Sequence, residues 1–203
     1  MRLRNNKNAK LELESCENVI KNFPFKVEKN STLEIGMGKG QMLIELAQKN
    51  PQKIFVGIEK YPTVALIAAK KAKKLELNNF FIIVDDVENA LDFFEGTFDL
   101  IWLTFSDPWP KKRHYKRRLT YEKFLKIYSK ILSENGLIKL KTDNDDFFQW
   151  TLESLEKNGL NIINKTSDLE KSEFAKDNVK TSYEQKFVSL GKNINFVEFS
   201  FKK

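Results

Sequence analysis

Residues 31–50 read STLEIGMGKGQMLIELAQKN. The first six positions read as a strand that ends at Gly36. Gly36, Gly38 and Gly40 then let the backbone reverse tightly and let a ligand come close to it. From residue 41 the apolar side chains recur at Met42, Leu43, Leu46 and Ala47, the spacing of one helix face. Strand, glycine turn and helix thus follow one another without a gap.

The alternation continues outward from this unit. KIFVGIE (53–59), FFIIV (80–84) and FDLIWLTF (98–105) read as strands, with a helix over 63–77 between the first two. Thr120 is placed to cap a helix running to about residue 132, with Gly136 just past its end. GLIKLKT (136–142) is a further strand, and 145–158 a helix closed by Gly159. NIIN (161–164) and INFVEFSF (194–201) look like a late antiparallel pair. Strands apolar on both faces and separated by helices imply a mostly parallel sheet covered on both sides. The expected fold is therefore α/β, doubly wound and Rossmann-like, with a C-terminal antiparallel strand pair. It is expected as one domain over 1–203, with a basic, flexible arm at about 1–12.

In such sheets ligands sit beyond the carboxyl ends of the strands. The strand ends here read LEIGMGKG, GIEK, VDDV, FSDPWP and KTDN, and each carries an acid. One acid alone is as readily a helix cap; five around one crevice form a site. The glycine spacing lacks one residue of the dinucleotide pattern G-x-G-x-x-G. Glu34, two residues before the turn, disfavours a phosphate and favours a cationic ligand. Glu59 stands where an acid takes ribose hydroxyls. Asp85 is placed to accept from an exocyclic amine such as that of adenine. A glycine turn, a ribose acid and an adenine acid without a phosphate cradle point to S-adenosyl-L-methionine, whose sulfonium suits an acidic crevice.

Composition narrows the partner. The 203 residues are 41% hydrophobic and 31% charged, with a net charge of +7. Such an excess favours a polyanion. It is concentrated in SDPWPKKRHYKRR (106–118), where Lys111 to Arg118 holds six basic residues in eight positions. Asp107 ends the fourth strand, Pro108 and Pro110 stiffen the segment, and Trp109 serves either to stack on a base or to pack. The run after it either binds phosphates or forms a solvated face. Arg2, Arg4, Lys7 and Lys10 add charge at the N-terminus. No apolar run reaches the ~20 residues of a membrane span, and no apolar segment follows the basic N-terminus as in a secretory signal. Cys16 and His114 are each the sole residue of their type, which leaves no disulfide, no cysteine cluster and few metal or histidine-base options. The cytosol is the default compartment.

LEIGMGKG (33–40), GIEK (57–60), FSDPWPKKRHYKRRL (105–119), KTDN (141–144) and TSYEQKF (181–187), in this order, resemble the bacterial tRNA (guanine-N7)-methyltransferase family. The likeness runs from the basic arm to TSYEQKF. DPWPKKRH followed by KRR is its specific part; the glycine motif is general to class I methyltransferases. The resemblance implies methyl transfer from S-adenosyl-L-methionine, released as S-adenosyl-L-homocysteine, to N7 of guanosine 46 in the tRNA variable loop. It assigns Glu34, Gly36, Gly38, Glu59, Asp85 and Asp107 to the cofactor, and makes Asp107 the active-site residue as well. Lys111, Asp143, Thr181, Ser182, Tyr183 and Glu184 become substrate-binding residues. Arg113, His114, Tyr115, Lys116, Arg117 and Arg118 become the RNA-contacting loop. No metal, membrane or obligate protein partner is implied, and the chain is expected as a monomer or homodimer. Met37 stands where a smaller residue is expected, and Thr104 where Asn is. Asp86 stands where Ala is common, so whether Asp85 or Asp86 faces the adenine stays open.

The chemistry matches this scarcity of bases. Guanine N7 has an in-plane lone pair and no proton to remove. A carboxylate accepting from N1–H and the amino group raises ring electron density and offsets the positive charge of the product. Two other functions fit parts of the pattern. One is a non-catalytic RNA-binding protein with this fold, which would not need the acids at the strand ends. The other is an amino-group nucleic-acid methyltransferase, because D-P-W-P loosely resembles the N/D-P-P-Y/F motif.

Overall fold

The computed structural model describes residues 6–202; Arg2 and Arg4 lie outside them. The chain opens with α1 (Ala9–Glu14), β1 (Phe25–Lys26), β2 (Ser31–Ile35), α2 (Gln41–Lys49) and β3 (Ile54–Ile58). It continues through α3 (Pro62–Lys74), β4 (Phe80–Ile83), α4 (Ala90–Phe93), β5 (Phe94–Glu95) and β6 (Phe98–Thr104). It closes with α5 (Glu122–Ile131), β7 (Leu132–Thr142), α6 (Asp145–Lys157), β8 (Asn161–Thr166), α7 (Ser182–Ser189) and β9 (Asn195–Ser200).

Seven strands form one sheet in the order β4-β3-β2-β6-β7-β9-β8, while β1 and β5 make a small parallel pair. The pairings from β4 to β7 are parallel, and β9 runs antiparallel to both β7 and β8. From β2 the chain steps outward to β3 and β4, then returns to place β6 on the other side of β2. That reversal opens a crevice at the carboxyl ends of β2 and β6.

Side-chain alternation assigns the two faces. Leu33, Ile35, Ile101, Leu103, Ile138, Leu140, Val197 and Phe199 pack under α5 and α6. The opposite face carries Phe55, Phe80 and Ile82 under α1, α2 and α3, and Trp102 and Phe196 near Met42 and Phe187. That second face is not uniformly apolar. It also buries Thr32, Glu34, Thr104, Lys141 and Glu198, so the strands at the centre alternate more than their composition suggests.

Two local expectations are corrected. Thr120 does not cap a helix: Tyr121 holds the N-cap position of α5 without a side-chain cap bond, and the buried Thr120 hydroxyl bonds that of Thr151 at 3.0 Å. Gly136 does not end a helix either. β7 starts at Leu132, and a Cβ at Gly136 would meet Leu132 Cγ at 2.6 Å, so the glycine makes room within the strand. The basic N-terminal stretch is docked from Asn6 onward. Ala9 and Leu13 are buried in the cluster that α3 completes, Asn6 N–H donates to Thr63 Oγ1 at 3.1 Å, and Lys70 pairs with Glu12 at 2.5 Å.

Candidate active site

A cleft of about 640 Å³ lies at these strand ends. Gly36, Glu59, Asp85, Asp86, Asp107, Trp109 and Arg117 line it, together with Tyr61, Phe105 and Ser106. It therefore gathers residues from the ends of β2, β3, β4 and β6.

Of the glycine turn, Gly36 lines the cleft and Gly38 does not. Gly36, Gly38 and Gly40 all have positive φ, at 72°, 58° and 66°. A Cβ on Gly36 or Gly38 would meet nothing within 4 Å, whereas one on Gly40 would press on Ala68 and Phe80. The first two glycines leave open space beside the backbone, and the third lets α2 pack. Glu59 is fixed from both sides. Its carboxylate accepts from Gly38 N–H at 3.0 Å and Tyr61 N–H at 2.9 Å. Burial raises its pKa, these amides oppose the rise, and the neighbouring Asp107 charge adds to it.

Asp85 and Asp86 both face the cleft but differ in commitment. Asp86 accepts from Lys60 Nζ at 2.7 Å with one oxygen and from Glu88 N–H at 3.1 Å with the other. Asp85 uses a single oxygen, Oδ1, for Asp86 N–H and Asn89 Nδ2. Lys60 and the hydrogen bonds hold the Asp86 carboxyl below its usual range although burial acts to raise it.

Glu34 is placed elsewhere than expected. It is 2% exposed on the second sheet face, accepts a hydrogen bond from the Thr104 hydroxyl, and does not line the cleft. Burial raises its pKa to about 7. The two unusual residues near it have local reasons. Thr104 is its donor, and Met37 fills the space left by Gly57, where a Cβ would meet Met37 Sδ at 2.1 Å.

Asp107 is exposed on a short, strained loop. Phe105 and Trp109, two residues to either side, have φ of 49° and 43°. Left-handed backbone at such side chains costs about 1–3 kcal/mol each and concentrates at functional sites. Ser106 Oγ beside it is buried and has no hydrogen-bond partner among the described residues. Lys112–Arg117 then forms a 3-10 helix with Lys111 just before it. Among the described residues none of Lys111, Lys112, Arg113, Lys116 or Arg117 makes an ion pair. The Arg117 guanidinium lies 4.9 Å from the Trp109 ring centre, and His114 meets that ring edge-on at 5.7 Å. Burial and the nearby Arg117, Arg113 and Lys111 charges lower the His114 pKa. Arg118 is the exception in the run: it is 8% exposed and turned inward.

Asp143, Thr181, Ser182 and Tyr183 do not line the cleft but stand beside it, next to Phe105. Tyr183 stacks near Phe105, with ring centres 4.8 Å apart, and its hydroxyl reaches Asp143 Oδ1 at 3.5 Å. Burial raises the Tyr183 pKa, as do the charges of Asp143 and Asp107. Ser182 N–H donates to Gln41 Oε1 at 2.9 Å, which ties this segment to the helix after the glycine turn. Thr181 caps α7 by accepting from Glu184 N–H at 3.0 Å. Glu184 itself does not face the cleft. It is 1% exposed and pairs with the fully buried Lys141 at 2.8 Å, while Asn178 donates to its other oxygen. The resemblance makes Glu184 a substrate-binding residue; the buried cation that takes it lies 43 residues earlier on β7. Gln41 and Tyr61 lie outside the quoted motifs, and Lys60 and Ser106 lie inside GIEK and FSDPWP without a role; all four become visible only through their contacts or their place in the cleft lining. Among the described residues no group of three or more His, Cys, Asp or Glu is arranged to hold a metal ion, and no helix is long and apolar enough to cross a membrane.

Residues 28–197 match a family model described as "Putative methyltransferase". The chain is 50% identical over 201 residues to a curated tRNA (guanine-N(7)-)-methyltransferase of Metamycoplasma hominis, covering 99% of this chain and 100% of that one. Among solved structures, the 16S rRNA methyltransferase KamB superposes with a TM-score of 0.64 at 13% identity, covering 99% of this chain and 96% of that one. PKMT2 from Rickettsia typhi, solved in complex with AdoHcy, superposes at 0.57 with 16% identity, over 85% of this chain and 48% of that one.

Proposed function

The chain belongs to the tRNA (guanine-N7)-methyltransferase family, and from that premise we propose how its cleft divides the work and which guanosine it modifies. The enzyme transfers a methyl group to N7 of a tRNA guanosine, and the position proposed is guanosine 46 in the variable loop. S-adenosyl-L-methionine supplies an electrophilic methyl group on a cationic sulfur. The open backbone at Gly36 and Gly38 and the amide-fixed Glu59 suit a nucleoside with a ribose diol. Asp85 is the acid for the adenine amine, because it makes no ion pair among the described residues whereas Asp86 is paired with Lys60. Glu34 contributes from within the sheet rather than by contact.

Asp107 is the group for the target base. Its carboxylate accepts from guanine N1–H and the amino group, and its charge offsets the one that forms on the ring. N7 attacks through its own lone pair, so no side chain has to remove a proton. The remaining task is alignment, shared by Lys111, Asp143, Thr181, Ser182 and Tyr183 around the rim. Glu184 holds that rim in place through Lys141. Arg113, His114, Tyr115, Lys116 and Arg117 meet the phosphates flanking the base. The reading uses neither a metal nor a second protein, suits a monomer or a homodimer, and places the enzyme in the cytoplasm with its tRNA.

The observation that carries this reading is the position of Asp107. It lines the cleft with Glu59 on the cofactor side and Trp109 and Arg117 on the other, and it leads directly into the basic turn, which makes no ion pair among the described residues. The test is methyl transfer to paired tRNA transcripts with guanosine or adenosine at position 46. Incorporation confined to the guanosine transcript is expected; equal incorporation into both removes position 46 as the target.

A further inference from the structure

We propose that Arg118 is a positioning residue that sets the geometry of the Asp107 loop and makes no contact with tRNA. The inference rests on the reading of Asp107 as the group that meets guanine. Six basic residues crowd 111–118, and sequence alone gives them one task. The structure separates the last of them from the rest. Arg118 Nε donates to the Pro108 carbonyl at 2.9 Å, and its terminal nitrogen donates to the Trp109 carbonyl at 3.3 Å. These are the two carbonyls immediately after Asp107. On its other side the guanidinium lies over Trp150 at 4.6 Å and near Phe147 at 5.8 Å, both on α6. No carboxylate among the described residues pairs with it.

A buried cation held by two carbonyls and two aromatic faces is a clamp. What it clamps is strained: Trp109 has φ of 43° directly before Pro110. Left-handed backbone is disfavoured for a bulky residue, and a following proline restricts it further. Such a conformation persists only when its surroundings over-determine it. Arg118 supplies that constraint. It also joins two sides of the rim, because α6 starts at Asp145, two residues after Asp143. The planar fork of an arginine can bond two successive carbonyls while stacking on a ring; a lysine cannot do both. Arg117 next to it is exposed and lies on the Trp109 ring at the cleft. Adjacent arginines therefore serve different ends, one towards RNA and one towards the loop.

The test compares Arg118→Lys, Arg118→Met and Trp150→Leu with Arg117→Ala and Asp107→Asn. Turnover is measured at saturating tRNA and cofactor, alongside cofactor affinity and the salt dependence of tRNA affinity. The Arg118 and Trp150 variants are expected to lose turnover by roughly 10- to 100-fold, as misplacement of a reacting group does. Their cofactor affinity and salt slope stay at the wild-type values. Arg117→Ala lowers the slope by about 0.7, the value for a lost single-strand phosphate contact. If Arg118→Met does not fold, Arg118→Lys and Trp150→Leu carry the same comparison. A salt slope reduced in Arg118→Lys or Arg118→Met as in Arg117→Ala overturns the proposal in favour of a phosphate contact. Wild-type turnover in Arg118→Lys beside a crippled Asp107→Asn overturns the positioning role alone. Wild-type turnover in Asp107→Asn overturns both it and the reading on which it rests.

Discussion

The two halves of the cleft are built on opposite principles. On the side of β2, β3 and β4 the functional groups are already engaged. Glu59 is held by two backbone amides, Asp86 by Lys60, and three glycines adopt positive φ without side-chain strain. On the side of β6 and β7 the groups are left incomplete. Asp107 is exposed, Phe105 and Trp109 are strained, and the basic turn makes no ion pairs among the described residues. On the proposed reading a small cofactor of fixed shape is met by a preformed frame. On the same reading a large polyanion supplies the charges that the other half lacks, and Arg118 and the Lys141–Glu184 pair stand behind that half.

If this division is right, mutations in the two halves have separable effects. The largest is expected from Asp107→Asn, which removes a positioned charge and lowers turnover by about 10²–10³-fold. Cofactor affinity changes far less, and a turnover near wild type at saturation breaks the assignment. Glu59→Ala acts on the other half. It is expected to weaken S-adenosyl-L-methionine binding by roughly 10- to 100-fold, since hydrogen bonds to a charged acceptor contribute about 1.5–3 kcal/mol. Binding of tRNA without cofactor stays unchanged; collapse of tRNA binding with cofactor affinity intact would reverse the two halves.

A third comparison separates a local basic site from bulk charge. Arg113, Lys116 and Arg117 replaced together by Ala should flatten the dependence of log tRNA affinity on log salt by about 0.7 per lost contact. The control removes Lys70, Lys73 and Lys74 from α3, which takes the same charge from another surface. Equal losses in both triples mean that net charge alone recruits the tRNA.

The smallest effect concerns Glu34, which belongs to the frame and not to the cleft. Burial raises its pKa from 4.5 to about 7, against the opposing effects of Thr104 and Lys141. The folded state thus holds this proton more tightly than the unfolded chain. The resulting stabilisation is full below about pH 4.5 and is lost as pH rises through about 7. Glu34→Gln keeps the neutral form at all pH. Denaturation midpoints of the two proteins are expected to coincide near pH 4.5, with the variant the more stable above pH 7. Parallel curves across that range would place the Glu34 carboxyl in water.

The sheet was legible because its strands are marked twice, by apolar runs and by acids at their ends. Glu59, Asp85 and Asp107 follow from that rule and line one cleft. Thr120 and Gly136 were misread because a good capping residue and a helix-stopping glycine have the same sequence signature as a core hydroxyl and a close-packed glycine within a strand. Glu34, Glu184 and Arg118 mark a different limit. Each is charged, each sits in a motif, and each is buried. Motif membership tells that a residue matters, but only the partner tells whether it points to a ligand or away from one. Those partners lie 70, 43 and 10 residues away, on strands and turns that no local pattern links to them.

The most direct test of the account is transfer from labelled S-adenosyl-L-methionine to unmodified tRNA, followed by strand cleavage specific for 7-methylguanosine. The prediction is one cleavage, at guanosine 46 in the variable loop, at a yield equal to the label incorporated and lost in Asp107→Asn. Label that enters the tRNA but resists this cleavage would contradict it, because the methyl group would then sit on an exocyclic amine or another atom and not on N7.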